Sequence, residues 1–299
     1  MSDHTNIQWC DSTFNPWMGC TKISPACDHC YAERDTARFK QVTWGAGQPR
    51  KRTSEANWKK PLTWNKRADV FMECSSCGWR GDIAADRKEI LSSVCECGGS
   101  LRHARRRVFC ASLADVFDNE VPDQWRTDLF DLIKRTPNID WMLLTKRIGN
   151  VSKMLPADWG NGYTNVWLGI TVCNQPEAER DIDKLWLVPA AIRWISVEPM
   201  LEPMNLMKPL GLVKSWDRQD KPCYRPNHRP DIDMIVVGGE SGPGARPMDP
   251  DWPRLLRDQC ATARVAFFMK QLGGSLDKKG SVDDLPEDLR IREWPTRAC

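Results

Sequence analysis

Apolar runs that end in polar side chains recur along the chain and predict buried strands. Six such runs cover residues 107–115, 140–147, 166–174, 192–199, 233–242 and 265–271. Segments between most of them, including 122–135, 177–187 and 249–261, place apolar residues three and four positions apart, as amphipathic helices do. Strands that alternate with helices predict a parallel sheet. With a first strand near "FNPWMG", about seven such units favour an α/β fold that is a partial or complete (β/α) barrel.

The composition is consistent with one large domain. The 299 residues, 41% of them hydrophobic, can bury a full core, and we expect a single barrel domain over 1–299. The 43 basic and 40 acidic residues nearly cancel, so partners have to be inferred from local clusters. The polar start "MSDHTNIQ" is unlike a signal peptide, and no apolar run approaches the roughly 20 residues of a membrane span. We therefore expect a soluble cytoplasmic protein that does not contact a membrane.

Polar side chains stand where the predicted strands end. Barrel folds keep their active sites at this carboxyl edge of the sheet. The candidates for such a site are Ser112, Asp115, Thr145, Lys146, Thr171, Asn174, Ser196, Glu198, Glu240 and Lys270.

Two short cysteine pairs, "CSSC" and "CEC", each have a glycine directly after the last cysteine, and 17 residues separate them. Four thiolates with glycine-assisted turns are what a closed tetrahedral zinc site requires. We interpret 69–104 as an inserted zinc ribbon, an independent unit held by its metal, with ligands Cys74, Cys77, Cys95 and Cys97. His103 could replace one ligand, and an iron–sulfur cluster or a redox pair is the alternative.

The segment "NPWMGCTKISPACDHCYAE" places three further cysteines, Cys20, Cys27 and Cys30, in the loop after the first predicted strand. Three thiolates can hold a [4Fe-4S] cluster and leave its fourth iron open, whereas a structural metal site would be closed by a fourth protein group. The competing interpretation is that Cys10 completes a second structural zinc site. Six cysteines stand alone in the sequence, and most of them are best explained as small core residues: Cys10, Cys110, Cys173, Cys223, Cys260 and Cys299.

The three-cysteine loop resembles that of the radical S-adenosylmethionine (radical SAM) enzymes. In that superfamily the loop follows the first strand of a partial barrel, and an aromatic residue, here Tyr31, stands beside the last cysteine. The spacing here is C-x6-C-x2-C, where C-x3-C-x2-C is commonest. The resemblance implies a [4Fe-4S] cluster, S-adenosylmethionine, and an electron donor such as flavodoxin or ferredoxin.

Five segments in order resemble an uncharacterised family of phage and prophage proteins with a three-cysteine motif: "NPWMGCTKISPACDHCYAE", "SLADVFD", "LLTKR", "ISVEPML" and "VVGGESGPGARPM". For a phage-encoded protein the location would be the host cytoplasm. "SLAD" and "TK" are also distantly similar to S-adenosylmethionine-holding segments of spore photoproduct lyase, a radical enzyme that repairs a thymine lesion in DNA.

That similarity implies roles for individual residues. Ser112 and Asp115 would lie near the methionyl amino group, and Lys146 near the carboxylate, which a cation can pair with. Thr171 and Asn174 would be placed for the ribose hydroxyls. Arg180 would lie near them, at the start of the helix that follows. For Asp115 and Asn174 we weigh a second role, which is to cap the helix that follows.

Glu198, Glu240 and Lys270 are candidate catalytic residues at the same edge, together with the three cysteines. They could position a substrate or move protons. Arg246, in "GGESGPGAR", would join Glu240 in contacts to substrate or cofactor. A buried Glu–Lys–Arg network that braces the barrel is the alternative.

Basic clusters bracket the predicted ribbon at 50–67 and 102–107. Cations for phosphates and indoles for base stacking would form a nucleic-acid surface; a solvated charged face is the alternative. The predicted contact residues are Arg50, Lys51, Arg52, Trp58, Lys59, Lys60 and Trp64.

The favoured hypothesis is therefore a radical SAM iron–sulfur enzyme that generates a 5′-deoxyadenosyl radical to modify or repair a nucleic-acid base or nucleotide. One alternative is a non-catalytic, metal-stabilised nucleic-acid-binding protein. The other is a radical SAM enzyme that acts on a small metabolite, which would need no polyanion surface.

Overall fold

The structure, a computed structural model, describes residues 5–83, 94–216, 222–226, 232–276 and 280–295. Its strands are β1 (Ser12–Phe14), β2 (Trp17–Met18), β3 (Lys51–Arg52), β4 (Phe71–Cys74), β5 (Arg80–Asp82), β6 (Leu101–His103), β7 (Arg106–Cys110), β8 (Ile139–Thr145), β9 (Val166–Thr171), β10 (Ile192–Val197), β11 (Leu212–Trp216), β12 (Pro222–Pro226), β13 (Met234–Gly238) and β14 (Ala266–Gln271). Its α-helices are α1 (Tyr31–Arg38), α2 (Glu55–Lys66), α3 (Asp123–Arg135), α4 (Ile148–Met154), α5 (Gln175–Trp186) and α6 (Asp251–Ala263).

Seven strands form one parallel sheet in the order β1-β7-β8-β9-β10-β13-β14. Each new strand joins the same growing edge, and helices α3 to α6 provide four of the crossovers. The sheet curls into a half-barrel, so the predicted α/β partial barrel is confirmed. The first strand begins earlier than "FNPWMG" indicated, and the hairpin β11–β12 stands between β10 and β13 in place of a helix.

The two faces of the sheet have separate cores. Alternate strand residues such as Val108 and Leu143 pack against the helices. Residues of the opposite parity, including Phe109 and Trp194, form a second cluster on the concave face. Trp9 covers this cluster, with its ring 4.6 Å from Phe109 and 5.0 Å from Trp194 between centroids. The N-terminal segment thus closes the concave face in place of further strands.

The predicted insertion at 69–104 lies between α2 and β7 and contains a three-stranded antiparallel sheet in the order β5-β4-β6. Its residues 84–93 fall outside the described part. Arg80 ties this sheet to the barrel because its guanidinium donates to both oxygens of Asp11, at 2.9 and 3.1 Å, just before β1. Arg106 of β7 pairs with Asp82 of β5 at 2.6 Å. Two ion pairs thus join the insertion to the first two strands of the main sheet.

Buried positions of Cys10, Cys110, Cys173 and Cys260 agree with their prediction as core residues. The side chain of Cys223 and all of Cys299 fall outside the described part. Within the described ranges, no helix combines the length and the apolar content needed to cross a membrane.

Candidate active site

A cavity of about 310 Å³ opens at the carboxyl edge of the half-barrel. Its wall takes residues from the ends of β7, β8, β9, β10 and β14, as the strand-end pattern predicted. The three cysteines of the loop after β1 and β2 line the same cavity, and so do Ser112, Asp115, Thr145, Lys146, Thr171, Ser196, Glu198 and Lys270. The topology thus brings together residues that are up to 250 positions apart in the chain (Cys20 to Lys270).

The loop that carries Cys20, Cys27 and Cys30 is ordered by local turns. Ser24 accepts a hydrogen bond from Ala26 N at 3.1 Å and begins a short 3-10 turn over Pro25–Cys27. Cys30 is the N-cap residue of α1. All three thiols are half-buried. The Tyr31 hydroxyl donates to Ser112 O at 3.0 Å and so joins the start of α1 to the end of β7.

Two arginines hold the beginning of this loop at one residue. Arg147 Nη2 donates to Thr21 O at 2.7 Å, and Arg50 Nη2 donates to Thr21 Oγ1 at 2.8 Å. Arg50 is fully buried and pairs with Asp118 at 2.8 Å and with Glu120 at 3.0 Å. Both arginines therefore fix the position of Thr21, the first of the six residues between Cys20 and Cys27.

The other end of the loop is held by the segment after β13. Arg246 donates to Pro25 O at 2.9 Å and to Asp28 at 3.0 Å, and it pairs with Glu240 at 2.6 Å. Glu240 also contacts His29 Nδ1 at 2.8 Å. Burial opposes ionisation of Glu240, but hydrogen bonds from Arg246 and His29 outweigh it and lower its pKa to about 2. This is the bracing role named as the alternative for Glu240 and Arg246, and Glu240 does not line the cavity.

Arg147 also contacts a cysteine sulfur directly. Its Nη1 lies 3.2 Å from Cys20 Sγ and 3.1 Å from Asp115 Oδ2. Burial and the neighbouring Asp115 raise the pKa of the Cys20 thiol to about 12, against the opposing effect of Arg147. Asp115 accepts further hydrogen bonds from Phe117 N and from Thr145 Oγ1, at 2.9 and 2.7 Å. The carboxylate of Asp115 therefore accepts hydrogen bonds from the segment after β7, from the end of β8 and from Arg147.

The remaining predicted cofactor residues divide into two groups. Lys146 and Thr171 line the cavity, and the Lys146 ammonium forms no hydrogen bond or ion pair with the described residues. Asn174 instead caps α5 by accepting from Glu177 N at 2.9 Å, the second role weighed for it. Arg180 is half-exposed and pairs with Asp181 at 2.5 Å on its own helix. Neither Asn174 nor Arg180 lines the cavity, because both side chains engage the first turns of α5.

A second polar cluster lies in the cavity wall formed by β10 and β14. Glu198 Oε1 lies 2.6 Å from Lys270 Nζ, and Glu198 Oε2 accepts from Trp9 Nε1 at 3.0 Å and from Ser196 Oγ at 3.2 Å. The polar tip of the indole that covers the concave face is thus anchored on a carboxylate in the cavity. This cluster can hold a polar group of a substrate or exchange a proton with it.

The four-cysteine group is compact. The sulfurs of Cys74, Cys77, Cys95 and Cys97 all lie within 4.8 Å of one another, so they can hold a metal ion. The glycines after each pair, Gly78 and Gly98, have φ of +69° and +83°, which only glycine adopts freely. The backbone N–H of Cys77 lowers the pKa of Cys74, which favours the thiolate that a metal requires. His103 is not in this group.

Two residues of the predicted nucleic-acid surface, Arg50 and Trp64, are buried in the fold. Arg50 cannot meet phosphates, because its guanidinium is buried among carboxylates. Trp64 cannot stack on bases, because it is a core residue. Trp58 packs edge-on against Phe14, and Arg52 covers its ring at 4.1 Å. Lys51 and Lys59 are exposed, whereas Lys60 is half-buried.

Three arginines of the second basic cluster, 105–107, are also committed to the fold, whereas Arg102 is 69% exposed. Arg106 and Arg107 are buried, and the Arg107 guanidinium lies 3.4 Å from the ring centroid of Trp294. Arg105 pairs with Asp140 at 2.6 Å. These cations pack the ends of strands together instead of forming a solvent-facing patch.

Sequence reasoning missed Arg147 and Trp9 as cavity residues. Arg147 directly follows Lys146 in "LLTKR", and nothing in the sequence distinguishes which of two adjacent cations faces a cysteine. Trp9 precedes the first strand, and its contact with Glu198 spans 189 residues.

The fold and the site together define an α/β half-barrel protein with a three-cysteine cavity and a separate four-cysteine group. Residues 4–292 match a family described as Protein of unknown function (DUF5131), and the chain belongs to that family. No curated protein and no solved structure matches it significantly. The predicted membership in an uncharacterised family is thus confirmed, while the family description names neither phages, nor radical SAM enzymes, nor spore photoproduct lyase.

Proposed function

We propose that this protein is a radical SAM enzyme whose three-cysteine loop holds a [4Fe-4S] cluster. One observation carries the proposal: Cys20, Cys27 and Cys30 line a single cavity at the carboxyl edge of a parallel half-barrel. Among the described residues that line it, there is no fourth cysteine and no histidine. The donor set fits a cluster with one iron left open, since a closed structural site needs a fourth ligand.

The neighbouring residues suit the second cofactor. Cys20, Cys27 and Cys30 would hold the cluster, which would supply one electron from a donor such as flavodoxin or ferredoxin for the reductive cleavage of S-adenosylmethionine. The products of that cleavage would be methionine and a 5′-deoxyadenosyl radical, the species that would take a hydrogen atom from the substrate. Lys146 supplies an unpaired ammonium for the methionyl carboxylate. Ser112 and Thr171 add hydroxyl groups to the same wall. The four-cysteine group is proposed as a closed zinc site.

The competing assignment of a second structural zinc at Cys10 has less support. The Cys10 sulfur lies in the concave core, 3.8 Å from Ile7 O, and does not line the cavity. Anaerobically purified protein should be brown and contain about four iron atoms and one zinc per chain. Cys27→Ala should lose the iron and keep the zinc, whereas Cys260→Ala, a buried cysteine outside both groups, should keep both. Iron content unchanged in Cys27→Ala would refute the cluster assignment.

A small-molecule substrate, a free nucleotide included, is favoured over a nucleic-acid strand. The specific observation is the burial of Arg50 and Trp64, which removes one cation and one indole from the predicted polyanion surface. Oligonucleotides at physiological salt should bind no more tightly than about 100 µM, the weak end of non-specific affinity. The double variant Lys51→Glu/Lys59→Glu should not change this. Tighter binding that falls steeply with salt and weakens in the double variant would restore nucleic acid as the substrate.

A further inference from the structure

We infer that Arg147 is a positioning residue that fixes the Cys20 sulfur and raises the reduction potential of the cluster bound there. The inference rests on the proposed function, because it needs a cluster at the three cysteines. Its geometric basis is the 3.2 Å contact between Arg147 Nη1 and Cys20 Sγ. In the described part of the chain, no side chain donates a hydrogen bond to the sulfur of Cys27 or Cys30.

The guanidinium of Arg147 has a single orientation. Its side chain is only 8% exposed, and it is held by Asp115 Oδ2 at 3.1 Å and Thr21 O at 2.7 Å. Asp118 Oδ1 lies 3.9 Å from Arg147 Nε. Asp115 is itself fixed by Thr145 Oγ1 at 2.7 Å. The N–H that faces Cys20 is therefore aimed by the fold and needs no rearrangement when the thiol becomes a ligand.

The direction of the effect follows from charge. One-electron reduction adds negative charge that spreads over the cluster and its thiolates. An N–H···S hydrogen bond from a cation stabilises the reduced form more than the oxidised form, and so raises the potential. Removing Arg147 alone would also leave the Asp115 carboxylate near Cys20 without its cation, whereas Asp118 keeps its pair with Arg50. Both changes disfavour reduction, so their effects add.

The test compares Arg147→Met with Arg180→Met in the cluster-containing protein. Arg180 is a matched control because it too is an arginine paired with carboxylates, Asp181 and Glu177, but it lies outside the cavity. The midpoint potential is measured by a redox titration in which electron paramagnetic resonance monitors the reduced cluster. Arg147→Met should lower the reduced-to-oxidised ratio at a fixed potential at least tenfold, which is about 59 mV for a one-electron couple. Arg180→Met should leave it unchanged.

Two further variants keep the inference testable if Arg147→Met fails to retain iron. Arg147→Lys keeps the positive charge but lacks the planar set of N–H donors of a guanidinium. It should lower the potential by less than Arg147→Met does. Asp115→Asn removes a negative charge beside Arg147 and should raise the potential. A purely structural role for Arg147 would not produce these opposite signs. Unchanged potentials in iron-containing variants would overturn this inference alone, whereas wild-type protein without iron would overturn the proposed function and this inference together.

Discussion

Glu198 and Lys270 form an ion pair of 2.6 Å across the end of β13, the strand that separates the two strands carrying them. Gly238, the last residue of β13, makes this possible. A Cβ at that position would lie 2.9 Å from Glu198 Oε1, which is closer than such contacts occur. The absence of a side chain at Gly238 therefore lets the carboxylate cross the strand and reach the ammonium inside the cavity.

Gly238→Ala should displace the Glu198 carboxylate and weaken its pair with Lys270. Because the pair is mostly buried, we expect the free energy of unfolding in urea to fall by about 1–2 kcal/mol. Gly149→Ala is the control: it lies in α4 with no atom within 4 Å of the added methyl group, and should raise stability by up to about 1 kcal/mol. In a Lys270→Met background, Gly238→Ala should cost less. Equal costs in both backgrounds would show that the glycine does not serve the ion pair.

Lys146→Met should weaken binding of S-adenosylmethionine to the cluster-containing protein. The unpaired ammonium is the cation proposed for the methionyl carboxylate, and loss of one charge-assisted hydrogen bond corresponds to a roughly 10- to 100-fold rise in Kd. Isothermal titration calorimetry measures this directly. Lys153→Met, at an exposed position in α4, should leave Kd unchanged. Equal affinities of Lys146→Met and wild type would remove Lys146 from the proposed site.

Arg80→Met should destabilise the whole protein, not only the four-cysteine segment. The substitution leaves Asp11 without its cation just before β1, and we expect the free energy of unfolding to fall by about 2–4 kcal/mol. Arg102→Met, on β6 of the same small sheet, should cost less than about 0.5 kcal/mol, because Arg102 is 69% exposed and lies 3.6 Å from its partner Glu73. If Arg80→Met unfolds with wild-type stability, the segment is an independent unit, as the sequence alone indicated.

Glu240→Gln should reduce stability at neutral pH and have less effect in acid. The folded state lowers the pKa of Glu240 from 4.5 to about 2, so the unfolded chain binds more protons between these values. The stabilisation is complete above about pH 4.5 and is lost as the pH falls towards 2. Allowing for solvent screening, it amounts to about 1–2 kcal/mol. Urea unfolding from pH 7 down to pH 3 measures it.

The control for this pH dependence is Glu287→Gln. Glu287 is exposed and forms no ion pair with the described residues, so its substitution should leave the pH profile as in wild type. A difference between Glu240→Gln and wild type that stays constant down to pH 3 would contradict the lowered pKa.

Local patterns were sufficient to predict six of the seven strands of the main sheet and the helices α3, α5 and α6. Apolar runs of strand length mark β8, β9, β10 and β14 within a few residues, because a strand buried on both faces must be apolar throughout. Since parallel strands present their carboxyl ends at one edge, the sequence also placed Lys146, Glu198 and Lys270 beside the three cysteines. The four-cysteine group was predictable for a similar reason, since its spacing and glycines define the turns that bring thiols together.

Only the tertiary structure decided which charges face the cavity and which hold the fold together. Arg50 and Lys51 are adjacent in a basic run, yet one is buried against Asp118 and the other is exposed. Lys146 and Arg147 are adjacent too, but Arg147 contacts Cys20 while the ammonium of Lys146 is unpaired. Both members of each pair are long cationic side chains, so the sequence does not distinguish them. The outcome depends on partners that are distant in sequence, and chain folding alone brings those partners within hydrogen-bonding distance.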